Sequence, residues 1–275
     1  NFDLIRLFAA LQVAFVHTIG HLHFGSFDQT YVYKIIELFP GVPIFFFVSG
    51  YLIYGSYEKS QKNQKPLLNF YIKRALRIYP VIWICTLLSL ISVWYSGYFE
   101  NNYPNLLEFF GWLLAQITFF QFYNPEFLRG YGIGVLNGSL WTLSVEIQFY
   151  ILMPIIYLLL TRVSKGKLIL LILFLILINV LNIQYNEKDG IVMKLFNASF
   201  LPWIYMFILG AVFYKFNYLT IFINRIPFLL LLLIYYILYE LTIDIGWGAG
   251  INPFAYIVLI SIIIKAAYLM PHLSD

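Results

Sequence analysis

The chain has 275 residues, 61% of them hydrophobic and 11% charged, with a net charge of +4. A soluble domain carries roughly a quarter charged residues, so a soluble enzyme is excluded. The small positive charge reads as basic cytoplasmic loops and excludes a surface built for nucleic acid. The single cysteine, Cys85, lies in an apolar run, so no intramolecular disulfide can form.

A spanning helix needs about 20 apolar residues. Stretches of that kind fall at 4–22, 38–56, 78–97, 140–161, 168–184, 199–215, 227–243 and 253–270. They predict an all-α fold, a polytopic transmembrane helical bundle of about 8–10 spans. The spans follow one another without a linker, so one membrane domain over 1–275 is expected. The first apolar run has no cleavage site and is read as a span, not a signal peptide. Short cytoplasmic residues are expected before Asn1, and one or more further spans after Asp275.

The first helix carries Asp3, Arg6, His17 and His21 as a polar stripe. Arg6 and His17 point within about 20° of each other at 100° per residue. Asp3 lies one turn before Arg6, His21 one turn after His17, and the small Ala10 and Ala14 lie between. Ionisable groups in a membrane are costly and face a bundle interior or a watery cavity. His17 reads as a base for a hydroxyl proton or as an acyl carrier, against a bland role in helix packing. Asp3 and Arg6 form an i, i+3 pair, with Arg6 also placed to meet a negatively charged donor at the inner mouth. His23 falls off this face.

In the second span, Phe45-Phe46-Phe47-Val48-Ser49-Gly50-Tyr51 reads as a close helix contact. A ligand-lining Ser49 is the lesser alternative. Lys59, Lys62, Lys65, Lys73, Arg74 and Arg77 mark the next segment as cytoplasmic, which also puts the N-terminus inside. Arg74 and Arg77, one turn apart before Pro80, suit phosphate binding. Lipid-headgroup anchoring is the competing role.

The apolar stretch 106–122 decides the later topology. A full crossing would put Arg162, Lys165 and Lys167 outside. A re-entrant or interfacial segment keeps them inside with Lys215 and Arg225, and leaves Asp28, Glu100, Glu108, Glu126, Glu187 and Asp189 outside. The second arrangement is expected. The external 98–139 is rich in Tyr, Phe, Asn and Gly, as in Tyr123-Asn124-Pro125 and Gly130–Gly134. Such residues stack on sugar rings or anchor a segment at the interface.

In Ser139-Leu140-Trp141-Thr142-Leu143-Ser144-Val145-Glu146, Glu146 stands about two turns into a span. It must face protein or water. It reads either as the carboxylate that orients a histidine or as a buried partner for an arginine. No metal-ligand spacing, P-loop, dinucleotide glycine fingerprint or nucleophile elbow is present.

Taken in order, these segments resemble the acyltransferase-3 family of integral membrane O-acyltransferases. Asp3, Arg6 and His17 match its N-terminal pattern, and Phe45–Ile53 its second helix. Arg74 and Arg77 match its paired arginines on a cytoplasmic loop. Trp141–Tyr150 matches its tryptophan-serine-leucine-x-x-glutamate-x-phenylalanine-tyrosine segment, with Thr142 in place of the usual serine. The matches cover about the first half of the chain.

The resemblance implies transfer of an acyl group, most often acetyl, from cytoplasmic acyl-CoA to a hydroxyl of an extracytoplasmic or lipid-linked glycan. It implies His17, Glu146 and Asp3 as catalytic residues, with Arg6, Lys73, Arg74 and Arg77 holding acetyl-CoA and the pantetheine lying along Ala10 and Ala14. It implies no metal, no nucleic-acid partner, contact with membrane lipid and a place in a bacterial cytoplasmic membrane. The rival readings are a transporter or flippase for a lipid-linked sugar, a glycan polymerase and a ligand-binding sensor.

Overall fold

The computed structural model describes residues 1–22, 30–62, 64–131, 140–185, 191–241 and 252–269. Among them every regular element is helical. Helix α1 is Phe2–Leu22, α2 Tyr31–Glu37, α3 Gly41–Ser60, α4 Pro66–Tyr95, α5 Tyr98–Asn101 and α6 Leu106–Ile117. A 3-10 turn follows at Glu126–Leu128. Then come α7 Trp141–Arg162, α8 Lys165–Tyr185, α9 Ile191–Ala198, α10 Ile204–Lys215, α11 Tyr218–Asn224, α12 Phe228–Glu240 and α13 Pro253–Leu269.

Five of the described helical segments are long and apolar enough to cross a membrane, and six if the bent pair α10–α11 is one span. This is a polytopic helical bundle, as the apolar runs predict. The number that satisfies length and composition is smaller than the expected eight to ten. The reason is local. Helices α12 and α13 stop at 13 and 17 residues, and α10 breaks from α11 by 92°.

The chain forms two compact units. The first comprises Asn1–Gly55, Met153–Asn197 and Leu201–Asp275. Its core is a crossing of α3 and α10 at two glycines. A Cβ on Gly50 would strike the backbone of Phe207, and one on Gly210 would strike the backbone of Phe47 and Tyr51. The main chains therefore touch, as small residues allow in membrane helices. Rings close the contact on both sides: Phe46 lies 4.7 Å from Phe207, Phe47 5.8 Å from Phe213 and Tyr51 5.2 Å from Tyr214. Ser49 is buried beside them, which is the packing role expected of Ser49-Gly50.

Helix α1 enters this unit at its start, where the Asn1 backbone nitrogen donates to the Ala267 carbonyl at 2.6 Å. The Gln12 amide joins α1 to the α2–α3 corner. Its Nε2 donates to Ile36 O at 3.2 Å, and its Oε1 accepts from Gly41 N at 2.7 Å. The second bond satisfies one of the orphan N–H groups at the start of α3.

The second unit comprises Ser56–Leu152 and Ala198–Phe200. Helix α4 begins at Pro66, well before the predicted 78. Pro suits the first helical turn, and no glycine follows until the left-handed Gly97 ends the helix. At 30 residues it measures about 45 Å against a hydrocarbon core of about 30 Å. Lys73, Arg74 and Arg77 thus stand on helix, not in a loop. Helix α6 has 12 residues, about 18 Å, too short to cross. It fits the re-entrant or interfacial segment expected there. The turn after it is pinned from within: Gln116 Nε2 donates to Tyr123 O at 3.3 Å, and Ser144 of α7 donates to Gln121 Oε1 at 2.6 Å.

Gly50→Val should destabilise the protein by about 2–3 kcal/mol, because an added side chain forces the α3–α10 backbones apart. Gly111→Ala, where a Cβ meets nothing within 4 Å, should leave stability unchanged. Thermal unfolding of both variants in detergent checks the contrast.

Candidate functional site

The residues singled out in the sequence fall into two sets. Asp3, Arg6 and His17 belong to the first unit, and Lys73, Arg74, Arg77 and Glu146 to the second.

On α1, Asp3, Ala10, Ala14 and His17 are exposed along one side. Arg6 is half-buried, its guanidinium over the Phe45 ring at 5.1 Å from the centroid. The stripe is therefore a real feature of the helix surface, with α3 supplying the aromatic seat for its arginine. His21 has no described side chain, and His23 lies outside the described residues.

A groove of ≈ 820 Å³ also follows α1, bounded by α2 and the start of α3. Phe8, Leu11 and Phe15 line it. Phe8 and Phe15 point about 160–180° away from His17. The groove is thus on the far side of α1 from the stripe. It includes Ala14, but Ala10 is not part of its lining.

The second unit holds a polar cluster that is largely sealed. Glu146 is buried in α7. Tyr150, one turn later on the same face, donates its hydroxyl proton to Glu146 Oε1 at 2.7 Å. The guanidinium of Arg74 lies over the Tyr150 ring at 5.9 Å and over Phe70 at 5.6 Å. Its Nη2 donates to Ser56 Oγ at 2.6 Å, while its Nε is shut away from solvent with no hydrogen-bond partner. Phe70 is fixed in turn by an edge contact with Tyr57 at 5.0 Å. The cation is held by three helices, α3, α4 and α7. An unmet guanidinium N–H in such a place costs about 1–3 kcal/mol, so this site is electrically incomplete. Lys73 and Arg77 are exposed.

Arg74 and Glu146 are therefore brought into one cluster by Tyr150. Sequence reasoning assigned no role to Ser56, Phe70 or Tyr150. The i, i+4 spacing of Glu146 and Tyr150 is the signal that was available. Ser56 and Phe70 carry no such signal, since their link to Arg74 is tertiary. Gln148 was missed too: Phe200 N donates to its Oε1 at 3.0 Å, and its Nε2 donates to Ala198 O at 3.0 Å. Among the described residues, no three His, Cys, Asp or Glu side chains gather as a metal site would require.

The helical fold and its apolar spans define a multi-pass membrane protein. The chain belongs to the acyltransferase-3 family: the family model described as an acyltransferase domain matches residues 1–274. Nodulation protein 10 of Rhizobium leguminosarum bv. viciae is 34% identical over 165 residues, 57% of this chain and 43% of that protein. Peptidoglycan O-acetyltransferase OatA of Listeria monocytogenes is 32% identical over 142 residues, 48% of this chain and 22% of that protein. The O-acetyl transferase of Shigella phage Sf6 is 28% identical over 179 residues, 62% of this chain and 49% of that protein. The chain spans less than half the length of each of these relatives. No solved structure gives a significant match.

Tyr150→Phe keeps the ring under Arg74 and removes the bond to the buried Glu146. It should cost about 1–3 kcal/mol of stability. Tyr150→Leu, which also removes the ring, should cost more. Unfolding midpoints of the two variants in detergent give the comparison.

Proposed function

We propose that this protein is an O-acyltransferase of a bacterial cytoplasmic membrane. It takes an acetyl group from cytoplasmic acetyl-CoA and passes it to a hydroxyl of an extracytoplasmic or lipid-linked glycan. The observation that carries this reading is the family match over residues 1–274. Two relatives named as O-acetyltransferases, one of them for peptidoglycan, support acetyl as the group and a glycan as the acceptor.

The residues take the following roles in this proposal. Lys73, Arg74 and Arg77 bind the phosphates of CoA, for which guanidinium forks are suited. Glu146, through Tyr150, keeps the Arg74 cluster in place. Arg6 contributes positive charge at the inner end of α1. From Arg6 to His17 the helix rises about 16 Å, a distance comparable with a pantetheine arm.

His17 then takes the proton of the acceptor hydroxyl as the oxygen attacks the thioester carbonyl. The new C–O bond forms, the C–S bond breaks, and the departing CoA sulfur receives a proton. Asp3, on the same helix, tunes the charge of the stripe. No metal enters this scheme.

Arg77→Ala should weaken CoA binding by about tenfold, the loss of one charge-assisted contact. Calorimetry on the full-length protein in detergent reads this directly. Unchanged affinity in both Arg77→Ala and Arg74→Ala would remove the phosphate assignment. His17→Ala should leave CoA affinity alone and lower acetyl transfer by a factor of about 100 or more. Full activity in that variant would end the role given to His17. Absence of any CoA binding by the wild type would favour a transporter instead.

A further inference from the structure

Helix α11 is unlike the other helices of the first unit. It leaves α10 at 92°, so the two helices do not continue as one straight rod. Thr220 and Ile223 are buried at 3% and 5% exposure and face the protein. Tyr218, Ile221 and Phe222 are exposed at 51%, 54% and 64%. Together with the exposed Arg225, these three share a face about 100° wide. The far end of α11 is tied down by Lys265 of α13, whose ammonium donates to Asn224 O at 3.1 Å and to Ile226 O. At the near end, the Lys165 ammonium lies over the Tyr218 ring at 5.1 Å and the Phe216 ring at 5.8 Å.

Charge supplies the partner. Lys215 precedes α11, Arg225 follows it, and Lys165 sits over its first ring. No Asp or Glu occurs in 153–185 or 195–239. A short helix with an outward apolar face, edged by cations, matches a segment that rests at the boundary of headgroups and acyl chains. An anionic leaflet attracts each such cation.

We propose that α11 is a membrane foot whose Lys165, Lys215 and Arg225 bind the phosphate headgroups of anionic phospholipids. The rings of Tyr218 and Phe222 sink into the acyl boundary, and the cations stay at headgroup level. This surface is independent of acyl transfer.

The test is native mass spectrometry of the full-length protein in detergent, titrated with phosphatidylglycerol or phosphatidylcholine. The wild type should retain phosphatidylglycerol at least tenfold better than phosphatidylcholine, as several cations each favour it by about fivefold. Arg225→Gln and Lys165→Gln should each lower that preference by about fivefold, and adding Lys215→Gln to both should bring it close to parity. No preference in the wild type, or a preference that survives the triple variant, overturns the proposal. Arg225 is exposed, so Arg225→Gln alone decides the matter if Lys165→Gln does not fold.

Discussion

The close crossing of α3 and α10 at Gly50 and Gly210 is the contact on which the first unit depends. In a bilayer, apolar helices gain little by leaving lipid for one another. What holds them is close packing, and close packing needs backbone approach. The two glycines supply it, because any Cβ there would meet main chain. Flanking rings then fill the space that the missing side chains leave on either side. Helix α3 also carries Phe45, the seat of Arg6.

The second constraint is polar. A carboxyl inside a helical bundle needs partners, since lipid offers none. Glu146 receives the Tyr150 hydroxyl, and the same ring supports Arg74 from its face. One tyrosine thus serves both ends of the cluster. Ser144, two residues before Glu146 on α7, holds the Gln121 amide of the turn after α6. The short segment Trp141–Tyr150 is dense with polar residues because it meets several parts of its unit at once.

Much of this was legible in the sequence, and the limits have physical causes. The apolar runs gave the bundle, and the short α6 followed from the charges on either side of it. The true start of α4 was hidden because Pro66 and the basic residues around it read as loop, although Pro suits a first turn and Lys and Arg are good helix formers. The break between α10 and α11 leaves no mark in hydropathy, since both helices are apolar. Of the candidate site, the α1 stripe and the pair Arg74 and Glu146 could be read from residue type and spacing. Their partners Ser56 and Phe70 could not, because tertiary contacts have no period in the sequence. Small residues at Ala10 and Ala14 suggested where a groove would run, but the described groove is walled by the bulky Phe8 and Phe15 on the opposite side.

The acyl transfer we propose rests on the family to which the chain belongs. The most direct measurement is the fate of radiolabel from acetyl-CoA in proteoliposomes that hold the full-length protein and a glycan acceptor. Acyl transfer requires label in the glycan as an ester that hydroxylamine removes, matched by release of free CoA. Folded protein that binds CoA yet leaves the glycan unlabelled and the thioester intact would contradict it.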